Sequence, residues 1–257
     1  MSSVPRFFYS GHISAGDTIS LSMEDSYHAS KVLRLKKGDS AEICDGREKV
    51  FAAHAISPDK AEFIFFLTDE ITEKRESPIQ ITLFQGLLKG KKMDTVVQQA
   101  VECGVSHVVP LVTKRSVSLI KDSDHAADKT ERWQKIAASA ASLSRRGRIP
   151  KVSEPIPIAN ILSPEITGKG LNLFFWEKVT GKTLPVKQCR EILSETSQVN
   201  IIIGPEGGFE DSEADLLRLS GNNFILAGLG PRILRAETAA TAAIILTQSI
   251  LGDLQGD

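Results

Sequence analysis

Short apolar runs separated by turn signals make up the N-terminal part of the chain. Lys36-Lys-Gly-Asp39 and Asp45-Gly46 stand between such runs, and the second of these is a dipeptide favoured in tight hairpins. Apolar runs of this length bounded by turn residues are typical of β-strands. The predicted strands are residues 32–35, 41–44, 50–56 and 61–67. We therefore expect a small β-rich module over residues 1–72, followed by a charged linker that ends at Pro78.

The pattern changes after Pro78, where short apolar runs alternate with apolar residues at helical spacing. Such residues recur between Met93 and Val101, and Gly104 follows where a helix commonly ends in glycine. This alternation predicts an α/β domain over residues 77–257, in which a mostly parallel sheet carries helices on both faces. The predicted strands are residues 79–84, 108–112, 171–176, 199–203 and 224–226, and the other predicted helices are 133–141, 185–193, 212–219 and 237–250. Residues 150–170 are expected to be irregular.

Two glycine-rich loops each follow a predicted strand and precede a predicted helix. The first is Gly204-Pro-Glu-Gly-Gly-Phe209, and the second runs from Gly228 to Glu237. Such loops lie at the carboxyl ends of parallel strands, where these sheets bind ligands, and glycine lets the backbone approach a ligand closely. One pair of glycines is more often an ordinary tight turn, but two such loops in consecutive units favour a binding crevice.

The spacing in these loops narrows the class of ligand. Neither loop contains G-x-G-x-x-G or G-x-x-x-x-G-K-[ST], so a dinucleotide and a nucleoside triphosphate are both disfavoured. A small adenosine-like ligand held by backbone groups remains open.

Positive charges cluster locally although the chain is nearly neutral. It has 31 Lys and Arg against 32 Asp and Glu, a net charge of -1, which excludes a uniformly basic nucleic-acid coat. A single basic cluster is more often a solvated helix face, whereas several favour an anionic polymer as partner. The clustered residues include Lys89, Lys91, Lys92, Lys114, Arg115, Arg145, Arg146, Arg148, Arg232 and Arg235.

We expect a cytoplasmic protein that has no metal site and no membrane-spanning segment. This expectation rests on the spacing of the cysteines and histidines and on the length of the apolar runs. The three cysteines, Cys44, Cys103 and Cys189, are widely spaced and never form C-x-x-C, and the five histidines show no H-E-x-x-H. The N-terminus lacks a basic region followed by an apolar stretch, so no signal peptide is predicted. No apolar run approaches the roughly 20 residues that cross a bilayer.

The two glycine loops also resemble a known family. Gly204-Pro-Glu-Gly-Gly-Phe209 together with Leu229-Gly-Pro-Arg-Ile-Leu-Arg-Ala-Glu-Thr-Ala-Ala240 is similar to the signature of the RsmE family of ribosomal RNA methyltransferases, of the SPOUT class. Arg6-Phe-Phe and His28-Ala-Ser-Lys-Val-Leu-Arg34 resemble that family's PUA-like RNA-binding module. The middle blocks around residues 85–94, 102–105 and 132–136 match as well. Residues 142–150 depart from the family, because a Glu-Gln pair is missing there, although Arg146, Arg148 and Pro150 match.

The resemblance implies S-adenosylmethionine as methyl donor and N3 of a uridine in 16S rRNA as acceptor. It also implies a trefoil knot in the C-terminal domain and a homodimer with the cofactor near the interface. The residues expected to bind cofactor are Gly204, Pro205, Glu206, Gly207, Leu226, Leu229, Gly230, Ile233 and Leu234. The residues expected to bind RNA are Arg6, Lys31, Arg34, Lys89, Lys91, Lys92, Arg115, Arg145, Arg146 and Arg148.

Arg235 and Glu237 are the candidate catalytic residues. Arg235 is predicted either to stabilise negative charge on the uracil ring or to contact a phosphate. Glu237 is predicted to act as a base or as a first-turn acid that the helix dipole favours. Glu206 is expected to orient a ligand or to tie down its loop. These alternatives leave the general base open.

Two other classes of protein are less compatible with the sequence, and the last helix carries an apolar stripe that has two interpretations. A non-catalytic RNA-binding or ribosome-assembly factor would not need both glycine loops, and a hydrolase would need a G-x-S-x-G elbow, which the chain lacks. An apolar stripe in the last helix is either a dimer surface or, as is more usual, intramolecular core. The stripe consists of Ala240, Ala243, Ile244 and Leu246.

Overall fold

A computed structural model of the chain describes residues 4–72, 75–116, 122–179, 185–193, 196–219, 224–252 and 254. It divides into two compact units. The first contains Met1–Glu76 and Ala141–Ile149, and the second contains Ser77–Ala140 and Pro150–Asp257. The sequence assigned residues 141–149 to the C-terminal domain, whereas the structure groups them with the N-terminal unit.

The first unit is built on a five-stranded sheet with the order β1-β3-β4-β5-β2. Its strands are β1 (Arg6–Phe8), β2 (Thr18–Ser20), β3 (Ser40–Cys44), β4 (Val50–Pro58) and β5 (Phe63–Glu70). The pair β1 and β3 is parallel, and the other pairs are antiparallel. Helix α1 (Met23–Tyr27) continues into a π-helical turn, His28–Val32.

The core of the first unit follows from the alternation in β5. Phe63, Phe65 and Leu67 are fully buried, while the residues between them are more exposed, so one face of the strand packs inward. The rings of Phe63 and Phe65 stack with centroids 5.0 Å apart.

The strand predicted at residues 32–35 is wrong. Val32 ends the π-helical turn, and Arg34 has a φ of 55°. A positive φ at a residue with a side chain lies outside the β region, so the segment cannot continue as a strand.

The second unit contains a parallel sheet with the strand order β12-β10-β11-β6-β7-β8, and β9 also pairs with β7. Its strands are β6 (Gln80–Gly86), β7 (His107–Val112), β8 (Lys151–Val152), β9 (Ile156–Pro157), β10 (Leu171–Phe175), β11 (Gln198–Ile203) and β12 (Phe224–Ala227). Its helices are α2 (Lys92–Glu102), α3 (Ser123–Leu143), α4 (Pro164–Thr167), α5 (Val186–Leu193), α6 (Asp211–Leu219) and α7 (Ala236–Leu251), with a 3-10 helix at Ile158–Leu162. The last three residues of α3 belong to the first unit.

Helices flank this sheet, which confirms the predicted α/β class. On one face Ile202 of β11 packs in a cluster with Phe84, Phe174 and Leu217. The stretch 150–170, expected to be irregular, contains β8, β9, the 3-10 helix and α4. These elements are very short because prolines and glycines separate them. No helix among the described residues is long and apolar enough to span a membrane.

The apolar stripe of α7 is core within one chain. Ala240, Ala243 and Ile244 are at most 1% exposed. The helix packs beside α2, where the Thr241 hydroxyl donates to Gln99 Oε1 at 2.8 Å and Gln248 Nε2 donates to the Cys103 carbonyl at 3.2 Å. Leu246, the fourth residue of the stripe, is half-buried, so the stripe is mostly intramolecular core. The knot stays a prediction.

Candidate active site

A cavity of about 500 Å³ opens at the carboxyl ends of β10, β11 and β12 in the second unit. Both predicted glycine loops line it, which places them at the sheet edge where parallel folds bind ligands. The predicted site residues in its wall are Gly204, Pro205, Glu206, Gly207, Leu229, Gly230, Ile233, Leu234, Arg235 and Glu237. Leu226, predicted to bind cofactor, lies within β12 instead and packs against the core cluster that contains Phe84.

Glycine is required where the first loop passes the neighbouring strand. A Cβ on Gly86, the last residue of β6, would lie 2.5 Å from the backbone nitrogen of Pro205. Gln85 Nε2 reaches across the same gap and donates to the Gly204 carbonyl at 3.1 Å. Phe209 closes the loop by burying its ring against Phe174, with centroids 5.1 Å apart. The loop is thus held at both of its ends.

Glu206 ties the first loop to the segment that precedes α2. Its Oε1 accepts a hydrogen bond from the backbone N–H of Lys89 at 3.1 Å and forms an ion pair with Lys92 Nζ at 3.1 Å. Burial raises the pKa of this carboxyl, but hydrogen bonds from the backbone N–H groups of Lys89 and of Glu206 itself, together with the Lys92 ammonium, lower it more, so the net pKa lies below its usual value. The geometry favours the second of the two predicted roles, in which Glu206 fixes its loop.

The segment after β7 braces the same loop from another direction. Arg115 donates from Nη1 to the Gly207 carbonyl. The buried carboxylate of Glu213 accepts from the backbone N–H of Lys114 at 2.8 Å and from that of Glu210 at 2.9 Å, so it caps α6 as well. Arg115, predicted to bind RNA, therefore has a contact within the site loop.

The second loop carries three exposed side chains that form no ion pair or hydrogen bond with another described residue. Gly230 has a φ of 91°, which turns the backbone after Leu229 and is natural for glycine. Ile233 is 86% exposed, and Arg232 and Arg235 are exposed without an ion pair among the described residues. Two cationic side chains and one apolar side chain at the cavity wall are therefore available to a ligand.

Glu237 lies in the first turn of α7, directly after Arg235 and Ala236. Its Oε2 is buried without a hydrogen-bond partner among the residues that the structure describes. The positive end of the helix dipole favours a carboxylate at this position. A buried acceptor left unpaired is costly, so this oxygen gains stability by accepting a hydrogen bond from a ligand group.

The end of β10 contributes wall residues that sequence reasoning missed. Phe175, Trp176, Glu177 and Val179 line the cavity, and the indole Nε1 of Trp176 is buried without a partner in the described part of the chain. The signal available was position alone, because these residues end a predicted strand at the ligand-binding edge of the sheet. No motif marks them.

Two of the predicted RNA-binding arginines are buried in the first unit, which corrects that assignment. Arg6 is 4% exposed, pairs with Glu42 at 2.8 Å and donates to the carbonyl of Arg146 at 3.0 Å. Arg146 is 3% exposed and pairs with Glu76 at 2.5 Å. Their guanidinium groups are held by partners inside the unit and are buried from solvent.

The remaining predicted RNA-binding residues keep some exposure. Arg145 pairs with Glu42 at 2.6 Å and Arg148 with Glu48 at 2.8 Å. Lys92 is half-buried at the cavity and paired with Glu206, as described above. The exposed members without an ion pair to a described residue are Lys31, Arg34, Lys89, Lys91 and Arg115, the last of which donates a hydrogen bond to the Gly207 carbonyl.

The part of the chain that the structure describes contains no candidate metal-binding site. No group of three or more His, Cys, Asp or Glu side chains is placed there to hold a metal ion.

Comparison with known proteins connects this cavity to a family. The family described as "RNA methyltransferase domain" matches residues 75–248. The ribosomal RNA small subunit methyltransferase E of Bacillus subtilis is 32% identical over 95% of both chains, and that of Buchnera aphidicola from Acyrthosiphon pisum is 32% identical over 98% of this chain and 96% of its own.

A solved structure agrees with these relatives. The small subunit methyltransferase E of Neisseria gonorrhoeae, bound to S-adenosyl methionine, superposes with a TM-score of 0.87 at 29% identity and covers 98% of this chain and 100% of its own. These matches confirm the resemblance found in the sequence. The chain belongs to the ribosomal RNA small subunit methyltransferase E family.

Proposed function

We propose that this protein transfers a methyl group from S-adenosylmethionine to N3 of a uridine in small-subunit rRNA. The observation that carries the proposal is the cavity itself, because both family-matching glycine loops form its wall at the ligand-binding edge of a parallel sheet. The relative from Neisseria gonorrhoeae, which binds S-adenosyl methionine, supports the choice of cofactor.

The residues around the cavity fit an adenosine-like ligand. A volume of about 500 Å³ lies within the usual range for small-molecule sites. Trp176 and Leu229 provide apolar wall, and the glycine loops bring backbone groups close. The indole N–H of Trp176 and the Oε2 of Glu237, neither of them paired with a described residue, offer one donor and one acceptor.

When bound, the cofactor supplies a methyl group that its positively charged sulfur already activates. The protein's contribution is therefore to hold the acceptor base in line and to favour loss of the uracil N3 proton. Arg235 is the cation proposed to stabilise negative charge on the ring, because it lines the cavity directly before α7 and, like Arg232, has no ion pair to a described residue. Glu206 is a poor general base, since its lowered pKa keeps it ionised and weakly basic.

RNA contact is proposed for both units separately. In the first unit Lys31 and Arg34 lie exposed at the π-helical turn, which supports the PUA-like role. In the second unit Lys89 and Lys91 lie exposed in the segment that Glu206 ties to the cavity. Cations in these positions neutralise phosphates and make binding salt-dependent.

A homodimer is part of the proposal, with a surface other than the buried stripe of α7. Light scattering should give twice the mass of one chain at working concentration. A single-chain mass there would remove the dimer from the proposal.

Two measurements test the proposed activity. Isothermal titration should show binding of S-adenosylmethionine and S-adenosylhomocysteine, and none of NAD or ATP. Mass spectrometry of 16S rRNA from a strain that lacks the gene should show loss of one N3-methyluridine, restored by the parent gene. A protein that binds rRNA but neither cofactor form, with unchanged methylation, would instead be a non-catalytic assembly factor.

A further inference from the structure

Glu177 occupies a position in the cavity wall for which neither the sequence motifs nor the reaction outlined above provides a role. It is the second residue after β10, its side chain is exposed, and it lines the cavity. Its side chain forms no hydrogen bond or ion pair with any residue that the structure describes.

The turn that carries Glu177 is held firmly on both sides. The backbone N–H of Val179 donates to the Trp176 carbonyl at 3.0 Å, which closes the turn around Glu177. Trp176 stacks on Phe174 with an interplanar angle of 17°. Lys178 pairs with Asp211 at the start of α6, and its Nζ lies 5.4 Å from the Trp176 ring centroid. The free carboxylate therefore projects from a fixed backbone.

The first glycine loop makes room for this carboxylate. A Cβ added to Gly208 would lie 2.2 Å from Glu177 Oε1, and Gly208 also has a φ of 68°. Any other residue at 208 would displace the Glu177 side chain. A glycine of the ligand-binding loop and the carboxylate thus share one small space at the cavity wall.

The three acids that line the cavity differ in how their charge is balanced. Glu206 is neutralised by Lys92 at 3.1 Å. Glu237 sits in the first turn of α7, where the helix dipole offsets part of its charge. Glu177 has neither compensation, and although Arg232 and Arg235 also line the cavity, neither forms an ion pair with it. Its negative charge is left available to a ligand.

We propose that Glu177 recognises a positively charged group of the ligand that binds this cavity. The inference rests on the proposed function, whose cofactor carries two such groups, the sulfonium and the α-ammonium. A carboxylate on a fixed turn binds either by a charge-assisted contact without ordering a flexible loop first. Glu177 is thereby a specificity-determining residue that favours cationic ligands over a neutral nucleoside.

The experiment compares three ligands on the full chain by isothermal titration. S-adenosylmethionine carries both cationic groups, S-adenosylhomocysteine only the ammonium, and adenosine neither. The variants are Glu177→Gln, which keeps the shape and removes the charge, and Glu154→Gln, an exposed acid of the second unit outside the cavity wall, as the matched control. Thermal melting checks that each variant is folded, and Glu177→Asp provides a second variant that retains the charge.

Glu177→Gln should weaken S-adenosylmethionine binding about tenfold or more, the size expected for loss of one charge-assisted contact, with adenosine within about twofold of the parent. Equal weakening of S-adenosylhomocysteine assigns the contact to the ammonium, and unchanged binding of that ligand assigns it to the sulfonium. Glu177→Asp should bind better than Glu177→Gln.

Two results would overturn the inference. The first is unchanged S-adenosylmethionine binding in Glu177→Gln. The second is equal weakening of adenosine, which would make Glu177 a support for the Gly208 loop. Failure of the parent protein to bind any of the three ligands would refute the proposed function instead.

Discussion

The guanidinium of Arg146 pairs with the carboxylate of Glu76 at 2.5 Å, with only 4% and 16% of the two side chains exposed. The same carboxylate accepts the backbone N–H of Gly147 at 3.0 Å. Cys44 Sγ adds a contact to the Gly147 carbonyl at 3.0 Å. These bonds hold residues 141–149 in the first unit, so the arginine that the family pattern marks is part of the unit's interior.

Arg146→Ala should destabilise the protein by about 3–5 kcal/mol, because removing one partner leaves a buried charge without its counter-ion. Urea unfolding measures the loss. Arg148→Ala is the matched control, since its pair with Glu48 is about half exposed on both sides and should cost at most about 1 kcal/mol. Equal stability of the two variants would show that the buried pair contributes nothing.

Glu206→Gln should lower the melting temperature at neutral pH but not in acid. The folded-state pKa of Glu206 is depressed, so its ionised form adds stability above the unfolded pKa, and this stability is lost as pH falls through the folded value. Thermal melts of parent and variant from pH 7 down to about pH 3 span the window below the ordinary glutamate pKa of about 4.3. A difference that persists unchanged at the acid end would contradict the ion pair as its source.

The sequence predicted which loops line the cavity better than it predicted the contacts that support them. Gly204 and Gly230 were recognisable because two glycine-rich loops follow strands in consecutive units, and Gly104 follows α2 with a φ of 89°, as predicted for a glycine at a helix end. The position of ligand-binding loops in a parallel sheet is likewise a general rule that needs no knowledge of contacts.

Contacts between residues distant in sequence explain what was missed. In the sequence Arg146 is one more cation in a basic cluster. The structure places Glu76, 70 residues away, next to it. Arg6 is neutralised in the same manner by Glu42. Glu177 follows a strand but belongs to no sequence motif. Its position in the cavity wall, next to Gly208, is evident only from the structure.

Replacing Lys89 and Lys91 together with Ala should weaken RNA binding and flatten its salt dependence. Both side chains are exposed, and the backbone N–H of Lys89 that binds Glu206 remains in the variant. Loss of two phosphate contacts should reduce the slope of log K against log salt by roughly 1.4, at about 0.7 per contact for a single strand. Lys169→Ala, exposed in the same unit, is the control. An unchanged slope would place RNA elsewhere.

Arg235→Ala should reduce methyl transfer far more than it reduces ligand binding. Arg235 stands between the second glycine loop and α7, lines the cavity, and makes no ion pair to a described residue, so its charge is available to the reacting base. If it stabilises negative charge on the uracil ring, kcat should fall about a hundredfold or more while KM for RNA and the Kd for S-adenosylhomocysteine stay within about twofold.

The same measurement distinguishes the competing role of Arg235. A phosphate contact would raise KM and leave kcat nearly intact at saturating RNA, because such a contact acts equally in ground state and transition state. Arg218→Ala serves as control, since Arg218 pairs with Asp215 on α6 and is exposed outside the cavity wall. Because an effect of less than about twofold on both constants is too small for a preorganised electrostatic donor, that result would remove Arg235 from the catalytic site.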